Sequence, residues 1–139
     1  MNLEYESLTN EIINAFYKVY NTLGYGFLEK VYENALHLEL TSRGLECKTQ
    51  QQIRVYYEGS EVGFYIADIV VEDLVIVEIK AAEALCEQHE YQLINYLRAT
   101  DKKLGLLLNF GQKPQFKRKI FTLNKTRYTL KQKEKSDSK

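Results

Sequence analysis

The stretch "DIVVEDLVIVEIK", residues 68–80, decides how this chain folds. Two aliphatic, β-branched runs flank Glu72-Asp73 and read as a buried strand pair, the composition that a sheet covered on both faces requires. Asp68, Glu78 and Lys80 interrupt them, and a charge in the dry part of a sheet is costly unless it is paired or bound to something. Glu78 and Lys80 are two apart on one strand and project from one face. Asp68 shares that face in one register only. If Val71 pairs with Leu74 across a strict two-residue turn, Asp68 lies opposite Val77 and faces away from Glu78. If the loop is odd or a β-bulge intervenes, Asp68 stands opposite Glu78. The Cβ atoms are then about 5 Å apart, close enough for both carboxylates to hold one small cation. Two-residue hairpin turns favour Gly or Asn, and Glu-Asp supplies neither, which favours the longer or bulged connection. The three residues form either an ordinary ion-paired cluster, with Lys80 neutralising one acid, or a metal site. Two acids and one base leave a negative charge that a divalent cation neutralises, which favours the second.

Working outward, residues 4–22 place Leu8, Ile12, Ala15, Phe16 and Val19 at helical spacing before Gly24. After the glycine turn "GYGF", a second helix is expected over residues 28–44, with Val31, Ala35 and Leu38 as its apolar stripe. Residues 45–59 read as a strand, Gly59-Ser60 as a turn, and residues 62–72 and 74–81 as two more strands. A third helix is expected over residues 83–100, covered by Leu85, Tyr91, Leu93, Ile94 and Leu97. Residues 103–111 are too short and too apolar for a surface helix and read as a buried strand; residues 117–123 add a strand at an edge. The order α-α-β-β-β-α-β-β describes an α/β fold, a mixed central sheet flanked by helices. On the third helix His89, Gln92 and Tyr96 fall along one stripe, within reach of phosphate or base edges near the end of the Glu78–Lys80 strand.

With 139 residues, 45% of them hydrophobic, the chain suits one compact domain. No apolar run approaches the roughly 18 residues of a membrane span, and the acidic, polar N-terminus is the opposite of a secretory signal. Cys47 and Cys86 are too few for a zinc ribbon or an iron–sulfur cluster and read as free thiols of a cytoplasmic protein. Charge is divided unevenly. Residues 1–112 carry 9 Lys/Arg against 17 Asp/Glu, and residues 113–139 carry 10 against 2. The basic end attracts phosphate backbones at long range or serves as a solvated terminus, and the composition beyond residue 131 predicts disorder.

Asp68, Glu78-Ile79-Lys80 and Gln92-Leu93-Ile94-Asn95-Tyr96, in this order, resemble the PD-(D/E)XK nuclease superfamily. The last string is similar to the Q-x-x-x-Y motif of its RecB-type branch. Gly26-Phe27-Leu28-Glu29-Lys30-Val31-Tyr32 is similar to the G-x-x-E-x-x-Y signature of a small prokaryotic family placed in this superfamily. The resemblance covers about residues 5–123. It implies a restriction-endonuclease-like α-β-β-β-α-β core within a domain of residues 1–123; by charge and composition, residues 124–139 read as a basic, flexible tail. It also implies metal-dependent hydrolysis of phosphodiester bonds, in DNA before RNA.

Carried over residue by residue, it implies Mg²⁺ or Mn²⁺ on Asp68, Glu78 and the backbone carbonyl of Ile79. Lys80 would assist the attacking water, and Glu29 would bind a cation or one of its waters. Gln92 and Tyr96 would position Lys80 or substrate, with His89 and Tyr32 on the substrate side. The branch carrying an iron–sulfur cluster needs four cysteines, so no such cluster is expected. Substrate choice would come from loops, the tail, a homodimer or another partner. The alternative is a catalytically inactive nucleic-acid-binding or assembly module, supported by the acidic body and opposed by the intact acid pair with its lysine.

Overall fold

The computed structural model of the protein describes residues 3–121. Three helices and five strands follow one another as α1 (Leu3–Leu23), α2 (Glu29–Ser42), β1 (Cys47–Tyr57), β2 (Ser60–Val71), β3 (Val75–Lys80), α3 (Glu87–Arg98), β4 (Leu104–Phe110) and β5 (Pro114–Ile120). The strands form one sheet in the order β1-β2-β3-β4-β5. Only β3 and β4 are parallel, and α3 makes the crossover between them. This is the expected α/β architecture, a mixed sheet between helices.

The sheet is covered on both faces, which explains why β3 and β4 are almost continuously apolar. On one face Ile12 and Phe16 of α1 and Tyr32, Leu36 and Leu40 of α2 meet alternate residues of the central strands, among them Val77, Ile79 and Leu106. On the other, Leu93, Tyr96 and Leu97 of α3 cover Val70, Ile76 and Leu107. Two helices sit differently from the expected stripes. In α2, Val31 is 39% and Leu38 70% exposed, while Tyr32, Leu36 and Leu40 are buried. The tyrosine ring decides this rotation: it stacks on Phe110 at 4.3 Å between centroids, and Phe16 meets the same phenylalanine edge-on at 4.8 Å. In α3, Tyr91 is 61% exposed and Tyr96 takes the buried place. Leu85 precedes α3, in the loop that leaves β3. The edge strand β5 begins at Pro114, earlier than expected. The predicted strand's last two residues and the basic tail lie outside the described residues.

The β2–β3 connection settles the register. Val71 pairs with Val75, Val70 with Ile76 and Ile69 with Val77, leaving three residues in the loop. Glu72 and Asp73 nevertheless adopt the left-handed backbone of a primed turn, at φ 53 and 55, and the Leu74 N–H closes on the Val71 carbonyl at 2.9 Å. Leu74 is the extra residue. Two acids without glycine hold this turn because neighbours tie it down. The Glu72 N–H donates to the Glu46 carbonyl at 2.7 Å, the Glu46 N–H donates to Glu72 Oε2 at 2.6 Å, and Asp73 pairs with Lys102 at 2.9 Å.

Helix α3 approaches β4 closely at Gly105, where an added Cβ would lie 2.7–3.0 Å from three atoms of the buried Leu93 side chain. Gly105→Ala is expected to destabilise the protein by about 1–3 kcal/mol, the range for overpacking a filled core. The measurement is urea unfolding, which should show a lower midpoint at an unchanged slope.

Candidate active site

The β2–β3 ladder stops at Ile69–Val77, and one step further Asp68 faces Glu78. There the side chains replace the ladder. The Asp68 N–H donates to Glu78 Oε2 at 2.7 Å, and the Ile79 N–H donates to Asp68 Oδ2 at 2.8 Å. Val75, Val77 and Ile79 pack under α1 and α2, whereas Ile76 packs under α3. Alternation therefore sends Glu78 and Lys80 towards α3. Lys80 Nζ donates to Gln92 Oε1 at 2.8 Å, and Gln92 Nε2 donates to the Tyr96 hydroxyl at 3.0 Å. Among the described residues no ion pair joins Lys80 to either carboxylate, so the cluster is not the self-neutralised arrangement that three such residues could form.

Burial dominates the electrostatics. Glu78 is only 3% exposed; burial and then the Asp68 charge push its carboxyl up to about 8, against the opposing effects of the Asp68 N–H and Lys80. Asp68 is pushed up to about 6, first by burial, with the Glu33 charge adding to it and the Ile79 N–H and Lys80 opposing. The Tyr96 phenol rises to about 12 through burial and then the Glu78 charge, so its hydroxyl is neutral at pH 7.

The other sequence candidates divide. Glu29 opens α2 as an exposed residue and raises the Asp68 pKa from a distance. Glu33, one turn later and 5% exposed, raises both carboxyls and is held by Lys30 and Gln50. The sequence alone does not single it out, because an acid on a helix ordinarily faces water; its position beside Tyr32 is the one local signal. His89 Nδ1 accepts the Cys86 N–H at 3.3 Å and so closes the start of α3. Tyr96 is buried, and its hydroxyl meets Gln92. Tyr32 is fully buried: its hydroxyl donates to the Gly24 carbonyl at 2.7 Å and accepts the Phe27 N–H at 3.2 Å. It locks the glycine turn and has no surface to offer a substrate, which corrects its placement on the substrate side. Asn109, also missed, is fully buried and exchanges two bonds of 2.9 and 3.0 Å with the backbone of Ala82, fixing the segment that follows Lys80.

A hard divalent cation fits these donors. Two carboxylates with raised pKa values gain from a nearby positive charge, and the Ile79 carbonyl belongs to the same strand end. Among the described residues no three His, Cys, Asp or Glu side chains converge on one point. A two-carboxylate set suits Mg²⁺, which keeps several waters and uses few protein ligands. Cys47 and Cys86 are free thiols.

Residues 6–119 match the PD-(D/E)XK nuclease superfamily, and the chain belongs to it. The crystal structure of SSO0001 superposes with a TM-score of 0.57 at 15% identity, over 99% of this chain and 70% of that one. An alkaline exonuclease (LHK-Exo) from Laribacter hongkongensis aligns at a TM-score of 0.42 and 11% identity, over 78% of this chain and 66% of that one. The first of these shows a shared fold. No curated protein matches the sequence. Among the described residues no helix is long and apolar enough to cross a membrane.

Because both carboxyls titrate higher in the folded chain than in an unfolded one, the folded state binds more protons from about pH 4 upward. The pair's contribution to metal-free stability is therefore fully present below about pH 4. It declines as pH rises through about 6 and about 8. Glu78→Gln removes the upper part of that decline. In EDTA, its thermal midpoint should exceed that of the parent at pH 8.5, by about 1–2 kcal/mol in stability, with the advantage gone near pH 5. Parallel melting profiles for the two proteins would contradict this assignment.

Proposed function

We propose that this protein is a metal-dependent nuclease that hydrolyses phosphodiester bonds, most readily in DNA. The observation that carries the proposal is the opposed pair Asp68–Glu78 at the fork of β2 and β3, beside a lysine ammonium turned to Gln92 and not to the acids. Asp68, Glu78 and the Ile79 carbonyl hold Mg²⁺ or Mn²⁺. The cation supplies Lewis-acid polarisation of a phosphoryl oxygen. Lys80 keeps a fixed positive charge at Nζ, where it orients the attacking water and stabilises charge developing on phosphate oxygens. Gln92 sets the ammonium in place, and Tyr96 sets Gln92. This chain from Tyr96 to Lys80 gives the Q-x-x-x-Y string a positioning role, in keeping with a RecB-type member carrying the G-x-x-E-x-x-Y signature. Glu29, exposed at the start of α2, would be available to a hydrated cation or to substrate, and His89 would meet substrate through its remaining ring nitrogen. The nuclease unit is residues 1–123, acting on cytoplasmic nucleic acid.

A second reading, a nucleic-acid-binding module without catalysis, draws on the main-chain N–H groups that already engage both carboxylates. One experiment separates the two. Purified protein is incubated with single- and double-stranded DNA and RNA in Mg²⁺, Mn²⁺ or EDTA. Cleavage is expected only with the metals, and Asp68→Ala and Lys80→Ala should each lower the rate by about 100-fold or more. Cleavage that persists in EDTA, or full activity in either variant, would overturn the nuclease assignment; binding without cleavage selects the second reading.

A further inference from the structure

Asp68 stands at a break in two ladders at once. On the β3 side its pairing ends at Ile69–Val77. On the β1 side the register runs through Thr49–Ile69 and resumes at Gln51–Ala67, so Gln50 and Asp68 are opposed but unpaired. Both strands change face across this step. Cys47, Ile69 and Val71 pack under α1 and α2, whereas Ile53 and Ala67 pack under α3. In an uninterrupted strand Ala67 and Ile69, two apart, would share a face.

The reversal is accompanied by a left-handed backbone at Gln50, φ 52, a conformation that side chains with a Cβ disfavour and that glycine adopts freely. The residue found there has an amide long enough to reach α2. Gln50 Nε2 lies 3.0 Å from each carboxylate oxygen of Glu33, whose outer side takes Lys30 Nζ at 3.0 Å. Glu33 is close enough to the fork for its charge to be felt by both Asp68 and Glu78.

We propose that Gln50 is a positioning residue of this site: its carboxamide holds Glu33 against the Asp68–Glu78 fork, while its left-handed backbone releases Asp68 from pairing with β1. The inference rests on the reading that Asp68 and Glu78 bind a divalent cation. Glu33 held inward adds a negative charge that favours the cation. Without the carboxamide it is free to swing with Lys30 towards solvent, and that support is lost while the fold remains.

The test is a Mn²⁺ titration of the full chain by calorimetry, with thermal midpoints and Mn²⁺-dependent cleavage measured in parallel. It compares the parent with Gln50→Gly, Glu33→Gln, the double variant and Asp68→Ala. Glycine keeps the backbone conformation, so Gln50→Gly should retain the parent's midpoint. It should bind Mn²⁺ about 10- to 100-fold more weakly, the usual loss for a residue that orients a metal site. Its cleavage should recover as Mn²⁺ is raised, a response that a purely structural defect would not give. Glu33→Gln should weaken binding similarly, and the double variant no more than either single change, because the two act as one unit. Unchanged Mn²⁺ affinity in Gln50→Gly, a loss that merely follows a lowered midpoint, or additive losses in the double variant would overturn the role of Gln50 alone. Equal Mn²⁺ binding by the parent and Asp68→Ala would overturn the cation reading, and this proposal with it.

Discussion

The reciprocal bonds at the fork, Asp68 N–H to Glu78 and Ile79 N–H to Asp68, are the constraint on which the rest of the structure depends. A sheet satisfies its backbone by pairing strands, and a break in the middle of one would leave buried groups without partners. Here two carboxylates take over as acceptors, so β2 and β3 separate while their N–H groups stay bonded. The substitution places negative charge where water is scarce, and the raised pKa values of both acids record that cost. The helices packed on the two faces hold the strands in position around the opening.

Positioning around the fork is layered. Asn109, itself fully buried, ties down the segment leaving β3 through Ala82. Gly111 permits that contact, since a Cβ there would fall 2.3 Å from the Ala82 carbonyl oxygen. The Tyr96–Gln92–Lys80 chain fixes the ammonium from α3, and Gly105 lets α3 sit close enough to do so. A lysine with three rotatable donors on a flexible stem needs such an anchor to act as a charge at one defined point.

The acidic character of residues 1–112 is the opposite of what attracts a phosphate backbone. The described cations that depart from it gather late in the chain, at Lys113, Lys117, Arg118 and Lys119, on or beside the edge strand β5. Charged residues on an edge strand also discourage pairing with another sheet. One short strand thus combines protection of an exposed edge with a local run of positive charge, Lys117, Arg118 and Lys119.

Much of the site was legible in sequence because it obeys local rules. Alternation placed Glu78 beside Lys80, helical spacing aligned Gln92 with Tyr96, and the turn chemistry of Glu72-Asp73 favoured the register that brings Asp68 opposite Glu78. That turn still took a left-handed form, since Glu46 and Lys102, distant in sequence, stabilise it. The inward face of α2 could not be read locally, because Val31, Ala35 and Leu38 form as good an apolar stripe as Tyr32, Leu36 and Leu40. Phe110, far along the chain, made the choice by stacking on Tyr32. Glu33, Gln50 and Asn109 were hidden for the same reason. Their roles reside in single contacts between elements, and a polar residue's partner leaves no periodic trace. The sequence by itself determined the order of elements and the chemical character of the fork. Only the tertiary structure decided which polar groups support it, because their partnership comes from packing between distant segments.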